Sequence, residues 1–290
     1  MTVKVDIDKK LDELPLLPDV VVSLLRLNPQ DDNYYDDILD LAKHDPTFTI
    51  QIIRLANSAA NAPVAQIKTL EEAVSRIGAN AIAGLITSLA VLKVFVPSDQ
   101  HEKDLWLHSV QVAVWGQCLA RAHSNLKVDP SQAYLCGLMH DIGRFAMFDQ
   151  IPEEFKQVES EDWHTPQELV KIETEFVGSD HAKIGQQICI KWSMPDCVRW
   201  VVGYHHIYHP KQYQLVAKHD EHLLNLLKVI QVADRISVLT MKHDDANLID
   251  IITTAFTSEL QPVSLNMKQI EAILPMVNDE CEAMRLQLNL

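Results

Sequence analysis

The sequence predicts an all-α protein, and three observations carry that prediction. Glycine is scarce, 8 of 290 residues, under half the usual share of about 7%, so the tight turns of a sheet-rich fold lack their usual residue. Capping residues recur ahead of stretches whose apolar side chains repeat at helical period. Strand alternation is not seen, and Asn-Gly and Asp-Gly hairpin signals do not occur. Hydrophobic residues make up 47% and charged residues 22%, close to a globular norm and far from a disordered composition.

Along the chain, Leu14-Pro15-Leu16-Leu17-Pro18 sets two prolines beside apolar residues and reads as a fixed turn. The acids Asp31, Asp32, Asp36, Asp37 and Asp40 lack the glycine and closing glutamate of a calcium loop and read as a solvated face. His44 reads as structural at a helix end. Asp45-Pro46 then caps the next helix, in which Phe48, Ile52 and Leu55 share a face that Ile53 widens. Thr69 and Glu72 have capping-box spacing. The most hydrophobic stretch, Ala81–Val96, contains Thr87, Ser88 and Lys93 and is shorter than the roughly 20 residues that span a bilayer, so it reads as a buried core helix.

Val96-Pro97-Ser98-Asp99-Gln100 breaks that helix and is the best boundary, with about five helices expected before it. Beyond it, Asp129-Pro130 and Thr165-Pro166 start helices, and Glu168 completes a capping box with Thr165. A helix begun near Pro195 closes at His205-His206, Asp234 lies mid-helix, and residues 267–288 form a helical tail whose last helix starts at Pro275. The expected organisation is an N-terminal helical subdomain (1–97), a second helical subdomain carrying the candidate site (98–260), and a C-terminal tail (261–290).

Lys and Arg number 25 against 40 Asp and Glu, a net charge of −15. Such a chain repels phosphate backbones and acidic membranes, so neither nucleic acid nor membrane is expected as a partner. Phosphate chemistry then calls for a local cation, most simply a metal. The five cysteines are odd in number and without C-x-x-C spacing, which points to reduced, core-packed thiols. With no apolar leader in MTVKVDIDKK, a cytoplasmic location is expected. G-x-S-x-G, Walker A and G-x-G-x-x-G are all missing, which drops serine hydrolase, P-loop and dinucleotide readings.

Chemistry concentrates in the second half, where 12 of the 13 histidines lie. The candidate metal ligands are Asp104, His108, His140, Asp141, His181, His205, His206 and Asp234. Asp104 and His108, four apart, share a helix face. His140-Asp141 ends an apolar approach, and Asp234 sits in the apolar run Val229–Ile236. A buried acid in either place needs a cation or hydrogen bonds. Intervals of about one helix plus its return let successive helices of a bundle each project ligands inward. Mixed imidazole and carboxylate donors suit Fe, Mn or Zn better than Mg or Ca, and aspartates could bridge two ions about 3.5–4 Å apart. His209, His219, His222 and His243 lack partners at such spacing and read as solvated.

This run resembles the HD superfamily of metal-dependent phosphohydrolases. Leu107-His108-Ser109 resembles its first motif, His140-Asp141-Ile142-Gly143 the defining dyad, His181-Ala182-Lys183-Ile184-Gly185 the H-x-x-x-G motif, His205-His206 the paired histidines, and Asp234 the last ligand. Asp104 falls where one branch places an extra acid. Upstream, Leu14-Pro15-Leu16-Leu17-Pro18, Asp45-Pro46 and Arg54-Leu55-Ala56-Asn57-Ser58-Ala59 resemble the HD-related output domain, HDOD.

The resemblance implies an HD-like helical bundle behind an N-terminal helical subdomain, and a place in bacterial signal transduction. It implies two metal ions, Fe or Mn foremost and Zn or Mg next, and hydrolysis of a phosphoester with Asp141 and Arg144 as catalytic residues. Many HDOD members have lost the ligands; this sequence keeps them. It departs from the cyclic-dinucleotide phosphodiesterases of the superfamily by Arg144 in place of lysine and by the lack of Gly-Tyr-Pro after His206, which argues against that substrate. Arg144 could instead clamp phosphate bidentately. The alternative is a non-catalytic module that binds a signalling protein and keeps the metal as a structural or sensing element.

Overall fold

Helices begin where the sequence places their caps. The computed structural model describes residues 7–17, 19–27, 31–43, 46–57, 66–207, 209–242 and 267–288; Pro18, His44, Asp45, Ser58, Ala59 and His243 lie outside them. Thr69 Oγ1 accepts from Glu72 N at 3.2 Å while the Glu72 carboxylate accepts from Thr69 N at 3.3 Å. The same box recurs at Thr165 and Glu168, at 3.2 and 3.1 Å. Asp129 accepts from Ser131 N and Gln132 N at 2.7 and 3.1 Å, satisfying donors that the first helical turn leaves open.

Among the described residues every regular element is helical. Six helices precede Pro97: α1 (Ile7–Glu13), α2 (Asp19–Leu25), α3 (Tyr34–Lys43), α4 (Pro46–Ala56), α5 (Leu70–Ile77) and α6 (Ala79–Val94). After it come α7 (Gln100–Ala122), α8 (Pro130–Met139), α9 (Ile142–Gln150), α10 (Pro152–Ser160), α11 (Pro166–Phe176) and α12 (His181–Lys191). The chain continues through α13 (Asp196–Tyr204), α14 (Pro210–His219), α15 (Glu221–Lys242) and α16 (Met267–Leu288). No single helix among the described residues is long and apolar enough to cross a membrane.

Among the described residues six helices precede Pro97, where about five are expected, and one reading changes. Pro275 does not start the last helix but lies inside α16. Ile270, Val277 and Cys281 are buried on either side of it, and α16 packs on α7 and α4. That apolar stripe holds both halves in line despite the hydrogen bond proline removes.

The core is organised by α7, which packs against α8 and α15 and buries Trp106 and Trp115 completely. A second packed group joins α12 to α9 and α13. At the α9–α12 crossing Gly143 lets the backbones meet: a Cβ there would stand 1.9 Å from the carbonyl oxygen of His181. No side chain fits that gap.

The N-terminal segment is tied down from the far side. Lys191 Nζ, at the end of α12, donates to the carbonyls of Leu11, Asp12 and Leu14 at 2.6, 2.9 and 2.9 Å. Trp192 Nε1 donates to Pro15 O at 3.0 Å. Asn57 closes another junction, donating to Ile53 O and Ile67 O and accepting from Ile67 N at 2.8–2.9 Å. The acids of the 31–40 run are exposed, as expected of a solvated face.

Candidate metal centre

Helix ends do most of the positioning. His140 is the C-terminal cap of α8, and Asp141 follows at the break into α9. His181 is the first residue of α12, whose cap Asp180 accepts from Lys183 N at 3.0 Å. His205 caps the end of α13, with His206 next. Two long helices add ligands from their interiors, His108 from α7 and Asp234 from α15.

These side chains form two groups whose donor atoms lie within 4.8 Å of one another: Asp141, His181, His205 and His206 in one, His108, His140 and Asp234 in the other. Asp141 joins them. Its Oδ1 is 3.4 Å from Nε2 of both His181 and His205, and its Oδ2 is 3.6 Å from His140 Nε2 and 3.8 Å from His108 Nε2. Asp234 Oδ1 lies 3.3 Å from His108 Nε2.

Four of the five imidazoles have their outward nitrogen occupied. Nδ1 of His140 donates to Gly137 O at 2.7 Å, and that of His205 to Val202 O at 2.8 Å. His181 Nδ1 donates to Glu173 at 2.6 Å, and His108 Nδ1 to Ser237 Oγ at 2.9 Å, which in turn donates to Gln111 Oε1 at 2.8 Å. A proton fixed on Nδ1 leaves Nε2 as a bare lone pair, the form that binds metal. Those Nε2 atoms face one another, 3.2 Å apart for His108–His140 and His181–His205 and 2.8 Å for His181–His206. Lone pairs aimed together in a buried place repel unless a cation sits among them, so the donor set fits metal binding.

The electrostatics of His140, His206 and the two aspartates agree, while at His181 the lowering effect of burial is outweighed by Glu173 and Asp141, which raise its pKa. Burial pushes His140 down to about 4, against the pull of Asp141, and so favours the neutral ligand form. Burial and the neighbouring imidazoles likewise hold His206 well below its ordinary value. Burial opposes ionisation of Asp141, yet His140, His205, His181 and Arg144 outweigh it and keep the carboxyl well below the usual range. Asp234 is lowered too, burial being overcome by the hydrogen bond and charge of His108 and by His140.

Two predicted residues behave differently. Asp104 is outside both ligand groups among the described residues; its Oδ1 accepts from Gln100 Nε2 at 2.8 Å. Arg144, expected to clamp phosphate, has its Nη2 2.5 Å from Glu159 Oε1 and its Nη1 3.7 Å from Asp141 Oδ2. Its guanidinium sits 6.0 Å from the ring centroids of both Phe155 and Trp163. Of the histidines read as solvated, His209 is exposed but caps α14 by accepting from Lys211 N, His219 stacks on Trp200, and His222 meets Gln132 Oε1 at 3.1 Å.

Sequence reasoning missed the supports. Glu173 is fully buried and accepts from both Nδ1 and the backbone N of His181. It falls on the apolar face of α11 with Leu169 and Ile172, the same signal that marked Asp234. Gln231 Nε2 donates to the carbonyls of His205 and Ile207 at 2.9 and 2.6 Å, and its Oε1 accepts from Tyr213 at 2.8 Å. It pins the end of α13 where the paired histidines sit. The cluster opens onto a cavity of about 380 Å³, lined by His108, Asp141, His206 and Asp234 together with Trp163 and Gln167.

Residues 14–208 match the HDOD domain family. A protein of Treponema pallidum (strain Nichols) is 26% identical over 200 residues, covering 68% of this chain and 38% of that protein, so the chain spans well under half the length of this relative. The fold is shared with a Shewanella amazonensis SB2B protein whose name assigns it provisionally to the phosphohydrolases, at TM-score 0.72 and 23% identity over 99% of each chain. It is shared as well with an HDOD domain protein from Geobacter sulfurreducens, at TM-score 0.71 and 20% identity over 96% of this chain and 99% of that one.

Proposed function

This chain belongs to the HDOD domain family, and we propose that it is a member that keeps a dinuclear metal site and hydrolyses a phosphoester in the cavity above it. One observation carries the reading: Asp141 presents one oxygen to each of two ligand groups on a cavity floor. Fe or Mn suits five imidazoles with two carboxylates best. Bound there, the metal would supply a positive field for phosphate and lower the pKa of water.

The chain's own residues do the rest. His108, His140 and Asp234 would hold one ion and His181, His205 and His206 the other, with Asp141 shared. Glu173 and Ser237 keep His181 and His108 aimed inward through their Nδ1 protons. Gln231 keeps the paired histidines at the cavity edge. Leu169 and Val238 on the wall exclude bulk water.

A second reading, a signalling module with a structural metal, draws support from α1–α6, none of which contributes a residue to either ligand group. Turnover separates the two. Metal-replete protein assayed on p-nitrophenyl phosphate, a bis-aryl phosphate and nucleotide phosphoesters should hydrolyse at least one of them, and Asp141→Ala should abolish it. No turnover by a metal-loaded sample would leave the module.

A further inference from the structure

The cavity over the ligand cluster has two arginines on its wall, and one of them has charge to spare. Arg144 is neutralised between Glu159 and Asp141 and lies 6.0 Å from the ring centroids of Phe155 and Trp163, so it latches α10 and the residues after it to the floor. Gln231 has already given its amide protons to the carbonyls of His205 and Ile207. His164, at the exposed rim, lies 3.7 Å from Asp162. Arg235 differs: it is half-buried, follows Asp234 on α15, lines the same cavity, and pairs with no carboxylate among the described residues.

The geometry points to Arg235 as the residue that seats the substrate's phosphate, and to a small-molecule phosphomonoester rather than a diester as the ligand class. The assignment rests on the phosphohydrolase reading given above. A diester has two non-bridging oxygens and one negative charge, which the ligand cluster alone can accommodate. A monoester has a third such oxygen and a charge of about −1.5 to −2 at neutral pH. That extra oxygen needs a further cation on the wall, and a guanidinium offers a planar fork of donors matched to it. A volume of about 380 Å³ lies at the small end of ligand sites, roughly 300–1,000 Å³, which favours a small molecule over a phosphorylated macromolecule.

The test titrates metal-replete full-length wild type, Arg235→Ala and Arg235→Lys with inorganic phosphate and with dimethyl phosphate by calorimetry. Metal content and melting temperature are measured on the same samples. Phosphate should bind wild type, weaken by about 10- to 100-fold in Arg235→Ala and fall between the two in Arg235→Lys, where the charge stays but the fork is lost. Dimethyl phosphate should bind all three equally weakly, with metal content unchanged. If the alanine variant does not fold, the lysine variant carries the comparison. Equal phosphate affinity across the folded variants, or equal losses for both probes, overturns the assignment and leaves the metal-dependent hydrolase standing. A metal-loaded wild type that binds neither probe removes both.

Discussion

Oδ1 of Asp141 lies 3.4 Å from Nε2 of His181, while Oδ2 of the same carboxylate turns towards His140 at 3.6 Å. One buried acid thus addresses two groups of imidazoles, His108 and His140 in one and His181, His205 and His206 in the other. Its ionisation is favoured by those imidazoles and by Arg144 despite its burial.

Glu173 should matter through His181. It is fully buried and takes the Nδ1 proton that leaves Nε2 available. Glu173→Leu is expected to weaken metal binding by about 10- to 100-fold, measured by chelator competition, with Glu173→Gln retaining part of it. Unchanged affinity in the leucine variant would show that Glu173 only fills space.

Gly143 should tolerate no side chain. With His181 O only 1.9 Å from the position of a Cβ, Gly143→Ala must push α9 and α12 apart. We expect a loss of about 3 kcal/mol or more in urea unfolding, together with lowered metal content, since Asp141 and His181 ride on those two helices. A melt like wild type would contradict the close crossing.

Much of this could be seen in the residue order, and what was hidden has a physical cause. Caps act within four residues, so Thr69, Asp129 and Thr165 announce their helices locally. His140-Asp141 and Asp234 stand out because an acid in an apolar run requires a buried partner. Glu173 gives the same signal from α11, weakened by Glu168 and Glu175 nearby. Glu159 gives none: it is one acid on a polar helix, and only the tertiary approach of Arg144 gives it a role. The long-range ties of Lys191 to residues 11–14 have no local trace.

Lys191 should hold the N-terminal segment in place. Its ammonium donates to three carbonyls more than 170 positions earlier in the chain. Lys191→Met keeps the stem and removes the donors, which should cost about 1.5–3 kcal/mol and speed proteolysis within the first 20 or so residues. Unaltered proteolysis would mean that Leu14 and Leu17, both buried, suffice alone.

Tyr34 should make the fold sensitive to alkali. Burial, helped by the negative charge of Asp129, pushes its phenol up to about 12. A folded-state value above the unfolded one, about 10, means its contribution is complete below pH 10 and is lost as pH rises towards 12. Melting temperatures of wild type should therefore fall relative to Tyr34→Phe across that interval. Parallel curves would contradict the burial of the phenol.

Elemental analysis of the purified full-length chain, beside an Asp141→Ala variant shown by circular dichroism to be folded and an Asp104→Asn control, bears most directly on the metal centre. We expect about two transition-metal ions per chain in wild type, the same in Asp104→Asn, and a loss of metal in Asp141→Ala. A folded wild type that takes up no metal when it is supplied, or an Asp141→Ala variant that holds as much as wild type, would contradict it.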